Sequence, residues 1–66
     1  MLGFDISYNI LTSTTINQLA NQFVNTTPPF SNTIFKFKNQ TPPAPPTGQG
    51  INDIQTLDIN NFVEVD

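Results

Sequence analysis

The sequence predicts a small α+β fold. An N-terminal β-α-β unit covers residues 1–38, an extended proline- and glycine-rich linker covers 39–50, and an extended docking tail covers 51–66, the whole dependent on a partner. Three observations predict it. A stretch near the N-terminus alternates apolar and polar residues, and the stretch after it repeats with helical spacing. Thr41 to Gly50 then contains four prolines among ten residues.

The first strand rests on Phe4 to Ile10. Period two puts Phe4, Ile6, Tyr8 and Ile10 on one face and Asp5, Ser7 and Asn9 on the other. Aromatic and β-branched side chains on the apolar face suit a strand. Such a strand either sits half-buried in the chain's own sheet or extends the sheet of a neighbour.

The helix follows from Ile16, Leu19, Ala20, Phe23 and Val24, whose spacing of three and four residues makes one apolar stripe. Thr14 or Thr15 is the expected N-cap, since a hydroxyl there accepts from an orphan amide. The opposite face carries Asn17, Gln18, Asn21 and Gln22, with no charge to form ion pairs. A helix this short is marginal alone, so the stripe must pack on something, the preceding strand being nearest. Pro28 and Pro29 end it.

Thr33 to Lys38 is the second strand. Thr33, Phe35 and Phe37 share one face; Ile34, Lys36 and Lys38 share the other. The lysines suggest an edge strand, where they discourage stray pairing. Phe30, in the corner before it, is expected to be exposed unless a neighbour covers it.

Thr41 to Pro46 is expected to be extended polyproline II, spanning roughly 19 Å. Its loose PxxP spacing lacks a flanking arginine, so a stiff spacer is preferred to an SH3-type ligand. Beyond it, Ile51, Ile54 and Leu57 step by three, which fits either a short helix capped by Asn52 or Asp53 or an irregular extended segment. Ile59 to Asp66 reads as extended, with strand propensity centred on Phe62 and Val63.

Composition narrows the function. Charged residues are 11% of the chain, against about 25% in ordinary soluble domains. Polarity comes instead from nine Asn, nine Thr, five Gln and three Ser, which tolerate interfaces without stranding a charge. Two lysines and a net charge of −3 argue against nucleic acid and anionic membranes as partners. No apolar run reaches the ~20 residues of a membrane span, and the N-terminus lacks the pattern of a secretory signal. Asn25-Thr26-Thr27 and Asn39-Gln40-Thr41 match the glycosylation pattern, as an Asn- and Thr-rich chain will by accident.

With no cysteine or histidine, no disulfide, common metal spacing or histidine-based nucleophile is expected, and no cofactor. The carboxylates Asp5, Asp53, Asp58, Glu64 and Asp66 are expected to be solvated charges rather than an acid–base pair. The reading is therefore not an enzyme and takes no small-molecule substrate. It is a structural cement or linker chain of a large protein assembly, most naturally a virus particle, and otherwise cytoplasmic. The expected partner-binding residues are Phe4, Ile6, Tyr8, Leu19, Phe23, Phe35, Phe37, Pro42, Pro43, Pro45, Pro46 and Phe62. The alternative is a free regulator that inhibits one target through its helix or PxxP arm.

Overall fold

Strands and helices alternate along the whole chain. The computed structural model describes residues 2–66, with β1 (Gly3–Asp5), α1 (Ser13–Val24), β2 (Ile34–Lys36), α2 (Gln49–Asp58) and β3 (Phe62–Glu64). The strands form one parallel sheet in the order β1-β2-β3, with Phe4 opposite Phe35 and Phe35 opposite Val63. Each crossover steps in the same direction, and crossovers of one hand then put both helices on one face.

β1 is shorter than the alternation suggests. Asp5 Oδ1 accepts from the Ser7 amide at 3.0 Å and the Ser7 hydroxyl at 2.5 Å, a local turn that competes with the strand. Tyr8 then takes a left-handed φ of 60°, so the period-two register is lost. Tyr8 and Ile10 project into solvent rather than continuing the apolar face.

α1 matches its expected stripe, with Ile16 and Ala20 fully buried and Phe23 and Val24 packed on the same core. The cap is Thr12, not Thr14 or Thr15. Thr12 is extended, and its hydroxyl accepts from the Thr15 amide at 3.3 Å. Thr12, Thr14 and Thr15 all carry a hydroxyl able to cap, and the earlier one lengthens the helix by two or three residues.

β2 is the central strand, not an edge. Its faces are as read: Thr33, Phe35 and Phe37 point into the core, and Ile34, Lys36 and Lys38 lie half-buried on the other side. Five of the six phenylalanines make the centre of the core. Phe23 lies 5.0 Å from Phe4, 4.9 Å from Phe35 and 5.6 Å from Phe30 between ring centroids, and Phe37 stacks 6.1 Å from Phe35. Full burial of a phenylalanine contributes about 1.5–3 kcal/mol. Phe30 is thus covered by its own chain.

The proline-rich stretch is neither an arm nor a solvated spacer. It is a loop strapped down at its non-proline amides. The Asp66 carboxylate accepts from the amides of Asn39 at 2.6 Å, Gln40 at 3.1 Å and Ala44 at 3.0 Å, and the Thr41 amide donates to the Asn9 carbonyl at 2.9 Å. Ala44 is buried in the core. With the prolines donor-free and these amides paired, only carbonyls are left to solvent, so the loop can lie against protein.

Residues 51–66 are likewise not an extended tail. Gly48, at φ 54° and ψ −130°, makes a turn open only to glycine and starts α2 without a side-chain cap, displacing Asn52 and Asp53 as expected caps. Ile54 and Leu57 face the core, while Ile51 and Ile59 face out. β3 then joins the sheet beside β2. Asn61 fixes that junction. Its Oδ1 accepts from the Thr33 amide at 3.0 Å, and its Nδ2 donates to the carbonyls of Phe30 at 3.1 Å and Leu57 at 2.9 Å.

The radius of gyration is 10.8 Å, where a free-standing 66-residue domain is expected at ~10.8 Å. The accessible surface of 4213 Å² is close to the ~4,200 Å² expected of a monomer of this mass.

Candidate partner-binding surface

The two helices pack against each other and against one side of the sheet, and the other side is bare. Parallel sheets are ordinarily covered on both faces, so this face stands out. In-register pairing lays its side chains out in rows. Gly3, Ile34 and Phe62 form the first row; Asp5, Lys36 and Glu64 form the second. Phe62 is 62% exposed, the one phenylalanine outside the core.

Both lysines of the chain sit on this face. Lys38 Nζ lies 2.5 Å from Glu64 Oε2, and that pairing raises the lysine's pKa and lowers the glutamate's. Asp5 is also held below the ordinary carboxylate range, chiefly by the Ser7 hydroxyl, then by the Ser7 amide, with Lys36 adding to it. Among the described residues, Lys36 has no carboxylate within ion-pair distance.

The other carboxylates are structural too, rather than merely solvated. Asp58 accepts from the Val63 amide on the outer edge of β3. Asp66 is held below its usual range by the amides of the loop it straps, that of Ala44 first. Asp53, only 6% exposed, accepts from Asn21 at 3.3 Å and Gln49 at 3.2 Å. It lines a cleft of about 430 Å³ between the helices, with Asn17, Gln18, Asn21, Thr47 and Gly48 around it. A second cleft of about 210 Å³, lined by Phe23, Val24, Phe30 and Leu57 among others, opens at the far end of the helices. Among the described residues no cluster of three potential metal-ligating side chains occurs, and no helix is long and apolar enough to cross a membrane.

The residues expected to bind a partner divide sharply. Phe35 and Phe37, 1% and 0% exposed, belong to the chain's own core, and Phe4, Ile6 and Phe23 pack against it. Leu19 is half-buried. Pro42, Pro43 and Pro45 are exposed on the strapped loop and Pro46 is half-buried. Tyr8 and Phe62 are open to a partner. The apolar stripe of α1 is taken up by the chain's own core, while the PxxP prolines stand exposed around a buried Ala44. Two features of the bare face were missed in the sequence, the vacant side of β2 and its match to β3. The Ile34, Lys36, Lys38 alternation signalled the first; nothing local signalled the second.

No family model, curated protein or solved structure matches this chain.

Proposed function

We propose that the chain is a non-catalytic structural subunit of a larger protein assembly, held in place through the bare face of its sheet. One observation carries this reading: a parallel sheet whose second side carries an exposed Phe62, a half-buried Ile34 and a row of alternating charges. An exposed apolar side chain rimmed by polar groups is the ordinary anatomy of a docking patch. The charge-poor, amide-rich surface supports a densely packed setting, a virus particle being the natural one.

Size fractionation of a native extract, with immunodetection, tests it. The chain is expected in a high-mass fraction at a fixed ratio to its neighbours, and Phe62→Asp is expected to release it. Recovery of the native chain at its monomer mass of 7.3 kDa alone refutes the proposal.

A further inference from the structure

We infer that the occupant of the bare sheet face is a second copy of this chain, paired about a two-fold axis that runs parallel to the strands between β2 and β3. The inference rests on the docking role given to that face above, and names its partner.

Charge selects the occupant. Asp5 and Glu64 cancel Lys36 and Lys38, so the face is neutral, and the net charge of −3 comes from Asp53, Asp58 and Asp66 elsewhere. Asp58 and Asp66, the exposed carboxylates outside this face among the described residues, have no lysine beside them to answer those of a second copy. A strongly charged partner gains nothing from a neutral face, and an apolar partner would desolvate Lys36 without pairing it.

The row pattern selects the axis. A rotation about a line parallel to the strands keeps each row at its own level and exchanges β2 with β3 of the other copy. Lys36 then lies over Glu64 of the second copy and Ile34 over Phe62 of the second copy, each contact occurring twice. Facing sheets pack about 10 Å apart, within reach of these side chains. Lys36, the lysine without an ion pair of its own among the described residues, gains one. Parallel strands acquire the second cover that such sheets ordinarily have. Three strands make a small face, so the pairing belongs to the weak, reversible class.

Sedimentation velocity on the purified chain in low salt, from about 10 µM to about 1 mM, tests the pairing. The wild type is expected to move toward twice its mass with concentration. Lys36→Glu sets a carboxylate against Glu64 of the second copy, and Glu64→Lys sets an ammonium against its Lys36. Each variant alone is therefore expected to associate at least about tenfold more weakly. An equimolar mixture of the two variants restores opposite charges across one of the two symmetry-related contacts with the charges exchanged, and leaves the other as in the wild type with its partners intact. It is expected to recover association to within about threefold of wild type, as a heterodimer resolved by native mass spectrometry. A change that merely disturbed the fold would not be rescued by mixing.

Should circular dichroism show either charge variant unfolded, Phe62→Ser, at an exposed position, takes its place and must also weaken association about tenfold. A wild type that stays monomeric throughout, association insensitive to these changes, or a mixture no stronger than its components overturns the inference. A purified monomer that still fractionates at high mass in the native extract separates this outcome from failure of the assembly role.

Discussion

Gly50→Ala is the sharpest probe of how the helices meet. Gly50 is buried in the first turn of α2, where the Asn17 side chain of α1 lies against it. A Cβ built there overlaps Asn17 Oδ1 and comes within 2.6 Å of its Cγ and 3.1 Å of its Cβ. The Asn17 side chain must leave. It currently donates to the Thr47 hydroxyl at 2.8 Å and accepts from the Thr47 amide at 2.9 Å, tying α1 to the turn before α2. Losing both bonds costs about 1–3 kcal/mol. Alanine returns up to about 1 kcal/mol through helix propensity. The net expectation is a loss of about 0.5–2 kcal/mol, or roughly 4–14 °C in Tm for a domain this size. Against a small-domain stability of about 3–5 kcal/mol, urea denaturation resolves that change easily. The decisive step is a double-mutant cycle with Asn17→Ala. Without the Asn17 carboxamide only the Cβ contact is left, and the helices relieve it by parting a few tenths of an ångström. Gly50→Ala should then be near neutral or stabilising. Equal effects in the two backgrounds, or stabilisation of the wild type, would refute the close-approach reasoning.

Two further predictions concern the polar ties. Asn61→Ala strands the Thr33 amide and the carbonyls of Phe30 and Leu57, and is expected to cost about 2–4 kcal/mol, most of the chain's stability, read as a sharply lowered urea midpoint by far-UV circular dichroism. A variant that keeps the wild-type urea midpoint would count against that role. Asp66 has a pKa lowered in the fold, so its stabilisation is complete above the unfolded carboxylate range near about 4 and is lost as pH falls through the folded value. The urea midpoints of wild type and Asp66→Asn should therefore differ near neutrality and converge in acid. A gap that is constant with pH would show that the charge is immaterial.

Much of the architecture was legible where a periodic pattern stood alone. The α1 stripe, the two faces of β2 and the strand propensity at Phe62 and Val63 each depend on neighbours within one element. What escaped depends on pairs far apart in sequence. Tyr8 fits a strand until the Asp5–Ser7 turn is formed, and nothing in the alternation reveals it. The prolines read as a solvated arm because their missing donors were visible, whereas Asp66, which takes up the Ala44 amide between them, lies more than twenty residues away. Asn17, Gln40 and Asn61 looked like generic amides. Gln40 in fact donates to the carbonyls of Ile6 and Phe37 and accepts from the Leu11 amide. The candidate surface was legible only by half: Phe62 was chosen for its apolarity, but the choice of Phe35 and Phe37 beside it followed from assuming a chain too short to cover them.

The strand order has a consequence for how such a chain comes into being. Every sheet partner is about thirty residues away, Phe4 to Phe35 and Phe35 to Val63, with no hairpin among the described residues to nucleate a ladder. On a ribosome, β1 would wait unpaired until β2 emerged, and β2 would wait again for β3. Until then the aromatic cluster lacks its floor and the proline loop its latch. Such a molecule has no stable half. A truncation that removes only Phe62 to Asp66 is therefore a loss of the whole fold, and quality control in the cell would meet it as an unfolded peptide rather than as a shortened domain.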